Sequence, residues 1–251
     1  MTRDFADYDA RGYPTLPVRA GYREWAETYE ATVLDEMDLR LLERLESVEW
    51  GRIERCLDLA CGTGRTGVWL AGRGVESIDG VDLTAEMAQI ARPKGVYDRL
   101  VLGDVTALPF RAGLYGLAVQ SLADEHLSDL APLYRETARV TGKSGAFVIV
   151  GYHPQFLMSG VPTHFDRGGG KPAAIRSWVH LFSDHVAAAR RAGWTLEEME
   201  ERLIDDAWVE RKPKWERYRG RPVSFAMAWR KGALRRRGDS SPRRPPPGSP
   251  R

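Results

Sequence analysis

The stretch Leu57-Asp58-Leu59-Ala60-Cys61-Gly62-Thr63-Gly64-Arg65-Thr66-Gly67 constrains this chain more than any other. An apolar strand ends in a carboxylate and runs directly into a glycine-rich turn and a helix. Gly62 and Gly64 permit left-handed backbone and let a ligand come close to the main chain. The unpaired N–H groups at the start of the helix face the same crevice. A turn of this kind binds a nucleotide-type ligand.

Gly62-x-Gly64-x-x-Gly67 is also a dinucleotide fingerprint, so the surrounding acids have to discriminate. A pyrophosphate is a poor neighbour for Asp58, whereas a cationic α-amino group suits it. The next strand, Ser77 to Asp82, ends in a second acid 24 residues after Asp58, the length of one strand-helix-strand unit. Asp82 can accept both hydroxyls of a ribose. A third strand from Arg99 carries Asp104, 22 residues further on, placed to accept from an adenine amino group. These acids favour a nucleoside that bears an amino acid.

With these residues in view, the chain resembles the class I S-adenosylmethionine-dependent methyltransferases. Asp58 to Gly64 matches their glycine motif, Gly80-Val81-Asp82-Leu83-Thr84-x-x-Met87 their ribose segment, and Gly103-Asp104-Val105-x-x-Leu108-Pro109-Phe110 their adenine segment. The strand Leu117 to Leu122, the helix ending Glu136-x-x-Arg139-Val140 and the strand Ala146 to Val150 continue the pattern, which spans roughly residues 20 to 231. Local wording at Lys94 to Tyr97 and Arg139 to Thr141 is similar to the Williams–Beuren-region methyltransferase-like branch. The resemblance implies a doubly wound α/β fold with a seven-stranded, mostly parallel sheet whose last strand is antiparallel. It implies S-adenosylmethionine as cofactor, with contacts from Asp58, Ala60, Gly62, Gly64, Asp82, Leu83, Met87, Asp104, Val105 and Ser121. Ala60 stands where the family often has Gly, a sterically mild change. The family shares its cofactor half and varies its acceptor half, so the resemblance names no acceptor.

At 251 residues and 43% hydrophobic content, the chain suits one α/β domain. The expected division is an N-terminal arm and helical lid (1–50), a core (51–231) with an acceptor-side insertion at 151–183, and an Arg/Pro-rich tail (232–251) with too little to bury to order itself. The formal charge of +2 hides an asymmetry: the tail holds six Arg against one Asp, leaving the rest at −3. A nucleic-acid-binding face is therefore not expected for the folded body. With no long apolar run and no signal-like start, the expectation is a cytoplasmic protein with no membrane contact. Cys56 and Cys61 read as buried thiols.

Between Gly21 and Ser47, Trp25, Tyr29, Val33, Met37, Leu41 and Leu45 recur every four residues, the stripe of an amphipathic helix. Val33 to Leu45 should pack on the sheet. Tyr22, Trp25 and Tyr29 either do the same or close over the cofactor, where aromatic faces suit a sulfonium. The long segment from Gly151 to Ser183 reads as an acceptor-site lid. A helix capped by Asp184 and closed by Gly193 should follow, then strands Trp194 to Ile204 and Val223 to Arg230.

Methyl transfer to an oxygen or nitrogen of a small-molecule acceptor needs alignment and, for a nucleophile of high pKa, a base. His126, after the fourth strand, is the first candidate, oriented by Glu125 or Asp124. His153 and His164 in the lid are further candidates, and His180 and His185 read as structural. Asp124, Glu125, His126, His153 and His164 carry metal-ligating atoms but no fixed spacing, and no metal is expected. The alternatives are an NAD(P)-dependent oxidoreductase and a noncatalytic S-adenosylmethionine-binding partner protein.

Overall fold

The computed structural model describes residues 3–33 and 37–232. The tail assigned to 232–251 therefore lies, from residue 233 on, outside the described residues. The central sheet has seven strands, β1 (Arg55–Leu59), β2 (Ser77–Asp82), β3 (Arg99–Leu102), β4 (Tyr115–Ser121), β5 (Thr141–Tyr152), β6 (Trp194–Leu203) and β7 (Pro222–Lys231). Their spatial order is β6-β7-β5-β4-β1-β2-β3. β7 runs antiparallel to β5 and β6, and the pairs β1–β2, β2–β3, β1–β4 and β4–β5 are parallel. The strand order therefore reverses between β1 and β4, the point at which open α/β sheets open a crevice at their carboxyl edge.

Both faces of the sheet are covered, so its strands read as continuous apolar runs and the two-residue pleat sorts them. Leu57, Leu59, Ala118, Phe147, Ile149 and Phe225 pack on one side against Leu133 and Tyr134 of α4 (Ala131–Val140) and Ala188 of α5 (Phe182–Arg191). Their neighbours Cys56, Leu117, Val119, Val148 and Val150 face the other way, against Leu70 of α2 (Arg65–Gly72) and against Leu41, Leu42 and Leu45. Asp184 does not cap α5 as an N-cap residue. It sits one turn in, its carboxylate accepting the Leu181 N–H at 2.8 Å.

The run expected as one helix from Gly21 to Ser47 is broken. α1 covers Val18–Trp25, a 3-10 turn covers Ala26–Thr28, a helical turn covers Tyr29–Thr32, and a separate turn, Leu39–Leu42, follows. A strict four-residue repeat drifts about 40° per step around a helix of 3.6 residues per turn, so six such residues cannot share one face. The chain instead distributes them. Trp25 packs with Phe165 and Ile175, Met37 with Leu122 and Trp208, and Leu41 and Leu45 on the sheet.

The N-terminal arm and the segment 151–183 are parts of one cap. Thr15–Leu16 pairs in parallel with Pro172–Ile175, which pairs antiparallel with His164–Asp166. Arg3–Asp4 pairs with Trp178–Val179. α1 lies on this small sheet so closely that a side chain at Gly21 would meet Ile175 at 2.8 Å. No helix among the described residues is long and apolar enough to cross a membrane.

One buried charge sits in the middle of β2. Asp79 accepts from Arg55 (3.0 Å), Arg99 (2.8 Å) and the Tyr115 hydroxyl (2.8 Å). Burial works to raise its pKa, but these three donors together outweigh burial and hold it below the ordinary carboxylate range. Asp79→Ala is expected to destabilise the protein by about 3 kcal/mol, the low end for breaking a buried ion pair, because both arginines can rehydrate. The stabilisation from Asp79 should be fully present above roughly pH 4 and fade as pH falls through the depressed native pKa. Urea unfolding of wild type and variant at neutral and acid pH checks both.

Candidate functional site

The turn after β1 is held by its neighbours. Gly62 (φ 54°) and Gly64 (φ 87°) are left-handed, and the Gly62 N–H donates to Asp82 Oδ2 at 2.8 Å. Gly67 serves a different end: a side chain there would meet the Tyr97 hydroxyl at 2.3 Å. Tyr97 fills that space and donates to Asp58 Oδ2 at 2.7 Å. Asp58 is fully buried, and burial, opposed by the Tyr97 bond, pushes its carboxyl up to about 7. It lies behind the turn and is not among the residues that line the cavity. The position expected to meet the cofactor is thus occupied on its inner side by Tyr97. Its place in the strand aims it at Tyr97, and it braces the loop.

The cavity, of ≈ 200 Å³, opens at the carboxyl edge of β1, β2 and β4. Ala60 and Gly62 line it from the first turn; Asp82, Leu83, Thr84 and Met87 from the end of β2 and the start of α3 (Ala85–Ala91). Asp104 and Val105 follow β3, Ser121 ends β4 and Leu122 follows it, and Tyr22, Tyr29 and His126 form the outer wall. Two of these residues, Ala60 (φ 51°) and Leu122 (φ 52°), are the only non-glycine residues in left-handed backbone among those described. Ala60 is thus more than a mild change, since the backbone there is one that glycine adopts without cost.

Asp82 accepts one backbone N–H on each oxygen, from Gly62 and from Thr84 (2.8 Å each). Each oxygen keeps a lone pair for a ribose hydroxyl. Burial raises its pKa against these bonds. Asp104 is exposed at the opposite end, with Oδ1 taken by the Thr106 N–H and hydroxyl. Ser121 is tied from behind by Asp38, a buried acid that also pairs with Arg65 at 3.1 Å. Apolar Leu83, Met87 and Val105 between the two acids complete a wall that suits an adenosyl group. Tyr22 and Tyr29 present aromatic faces where a sulfonium can be met.

Residues 57–149 match the family model described as a methyltransferase domain. The malonyl-[acyl-carrier protein] O-methyltransferase of Halorhodospira halophila is 32% identical over 182 residues, which cover 70% of this chain and 59% of that protein. The chain belongs to the class I S-adenosylmethionine-dependent methyltransferases. Its cofactor is S-adenosylmethionine, and the dinucleotide oxidoreductase reading falls away. The demethylmenaquinone methyltransferase of Mycolicibacterium gilvum is 29% identical over 170 residues, covering 60% of this chain and 72% of that one. In fold, the chain matches an S-adenosylmethionine-dependent methyltransferase from Mesorhizobium loti with a TM-score of 0.62 at 24% identity, over 78% of this chain and 97% of that one.

The remaining candidates divide. His126 lines the cavity: its Nε2 lies 2.8 Å from the Tyr22 hydroxyl and its Nδ1 2.7 Å from the Arg176 carbonyl. A carbonyl only accepts, so Nδ1 carries the proton and Nε2 accepts from Tyr22. Burial pushes His126 down to about 4. Glu125 Oε1 lies 3.4 Å from Nε2 rather than on Nδ1, so the methyltransferase's Arg176 carbonyl, not Glu125, orients the ring.

His153 and His164 are not on the cavity wall. His153 caps the helix Pro154–Met158 through the Gln155 N–H and bonds Glu201 at 2.8 Å. His164 donates to the Pro162 carbonyl at 2.7 Å and lies against Tyr13. Trp25 stacks on Phe165 and bonds Thr32, one layer behind Tyr22 and Tyr29. His180 and His185 make buried contacts with the Leu127 carbonyl and the Tyr134 hydroxyl. No group of three or more His, Cys, Asp or Glu side chains converges as metal ligands among the described residues.

Asp82→Ala is expected to weaken S-adenosylhomocysteine binding by about 1.5 to 3 kcal/mol with the fold intact, and Asp104→Ala by less. Calorimetric titration of both variants checks the order; unchanged affinity in the first would remove Asp82 from the ribose. Ala60→Gly is expected to relieve on the order of 1 kcal/mol of left-handed strain and raise Tm by about 2–4 °C in a thermal melt.

Proposed function

We propose that this chain moves a methyl group from S-adenosylmethionine to an oxygen or nitrogen of a small-molecule acceptor, with Tyr22 and His126 handling the acceptor's proton. The chain spans 59% of the length of the malonyl-[acyl-carrier protein] relative. Relatives with such different acceptors in their names align with it that neither acceptor carries over.

When bound, S-adenosylmethionine supplies an electrophilic methyl on a sulfonium sulfur. The chain's own task is to hold and align. In this reading Asp82 takes the ribose hydroxyls, Leu83, Met87 and Val105 enclose the adenine with Asp104 at its amino group, and the Gly62–Gly64 turn with Ser121 receives the amino-acid end. The cap built from the arm and residues 151–183 closes the acceptor side and keeps water away from the reacting atoms.

The observation that carries the proton assignment is the Tyr22 hydroxyl bonded to an unprotonated His126 Nε2 whose other nitrogen is fixed on a backbone carbonyl. An acceptor hydroxyl or amine that bonds Tyr22 can pass its proton through that hydroxyl to Nε2 as the bond to the methyl forms. Because burial holds His126 near 4, Nε2 stays free of a proton at neutral pH, and the histidine contributes no rising limb there. An ordinary exposed histidine would titrate in that range.

His126→Ala is expected to cut turnover by roughly 10² to 10⁴ at saturating cofactor, with S-adenosylhomocysteine affinity nearly unchanged. Wild-type kcat should show no titration from His126 between about pH 6 and 8. Steady-state kinetics with methyl-labelled cofactor on an acceptor found by screening supply the test. Full activity in the variant would leave alignment alone as the source of catalysis.

A further inference from the structure

Beside the main cavity lies a second, much smaller one of ≈ 10 Å³, about the space of one water. Tyr22, Tyr29 and Leu122 line both cavities and form the partition between them. Behind that partition the small cavity is closed by Trp25, Tyr152 and Glu125. Four aromatic rings thus surround one carboxyl group. Glu125 is 1% exposed, and only one of its oxygens is used: Oε1 accepts from the Thr163 hydroxyl at 3.1 Å. Oε2 is buried with no hydrogen-bond partner.

We infer that this chamber receives a protonated amino group carried by the methyl acceptor, so that the substrate is a cationic amine and Glu125 is the residue that selects it. The inference rests on the methyl-transfer reading and adds to it the charge of the acceptor. An isolated buried carboxylate is costly, and so is a neutral carboxyl oxygen without a partner. A cation between aromatic faces answers both costs at once, since ring faces attract it and its N–H groups supply the missing hydrogen bond. An acceptor without a cationic group gains nothing from the rings, and an anionic one is repelled. Burial, with Asp124 beside it, pushes the Glu125 carboxyl up to about 8, so it holds a proton at neutral pH until an ammonium beside it draws its pKa back down and the proton leaves to solvent.

The chamber itself transfers no group: it takes only the ammonium head, between Tyr22 and Tyr29, while the rest of the acceptor, with its reacting atom, stays in the main cavity on the cofactor's side of the partition.

Calorimetry on the full chain saturated with S-adenosylhomocysteine tests this, using benzylamine and benzyl alcohol at neutral pH, two probes of one shape that differ in charge. The amine should bind more tightly by about tenfold or more, the scale of a desolvated cation on aromatic faces with a charge-assisted hydrogen bond. In Glu125→Gln the preference should collapse to within about threefold. Equal binding of the two probes to wild type, no binding of either, or a preference that survives in the variant would overturn the assignment. The wild-type comparison needs no variant, so it decides even if Glu125→Gln fails to fold. Methylation of a hydroxyl acceptor without amine preference would sink this inference and leave methyl transfer standing; failure to bind S-adenosylhomocysteine would sink both.

Discussion

The Tyr97 hydroxyl on Asp58 is the contact on which the cofactor end depends. Tyr97 occupies the space that Gly67 leaves by having no side chain, and it also packs on Gly80 of the adjoining strand. The turn after β1 is thereby clamped from below, while Asp82 at the end of β2 grips it from the side through the Gly62 N–H. Two carboxylates from neighbouring strands thus set one loop, one by bracing it and one by facing the crevice. The left-handed backbone at Ala60 and Leu122 brings the chain sharply off the ends of β1 and β4 at the same edge. Strain of this kind persists where the surrounding structure fixes it, and it commonly clusters at functional sites.

The acceptor side is built on a different principle. Strands of two to four residues from the N-terminal arm and from 164–175 combine in one small sheet, and α1 rests on it. Neither segment could form such a sheet alone, so the arm and the insertion must order together. Their shared inner surface carries Tyr22, Tyr29 and Thr163 toward Glu125 and His126. Polar groups of the acceptor side are therefore positioned by contacts distant in sequence, and the arm's placement controls them.

This difference explains what the sequence reveals. The glycine turn and the acids closing β1, β2 and β3 are legible because each follows from local chemistry and from the regular length of strand-helix-strand units, whereas the antiparallel seventh strand is implied by the family resemblance. Asp58 is legible as an acid, but not its direction, because whether a strand-end side chain meets ligand or scaffold depends on what packs there. Tyr97, Asp38 and Arg65 escape for the same reason: their partners come from other elements. His153 and His164 are legible as residues of the segment that covers the site, but not their partners, Glu201 and the Pro162 carbonyl, which folding brings to their rings. The helix expected from Gly21 to Ser47 fails on arithmetic visible in the sequence, since a repeat of four does not stay on one face of a 3.6-residue helix.

The central claim is that the crevice at the carboxyl edge of β1, β2 and β4 holds an adenosyl amino acid rather than a dinucleotide. Calorimetric titration of the full chain with S-adenosylhomocysteine and, separately, with NAD tests it most directly. The account predicts saturable one-to-one binding of S-adenosylhomocysteine and no measurable heat with NAD. Binding of NAD with none of S-adenosylhomocysteine would contradict it.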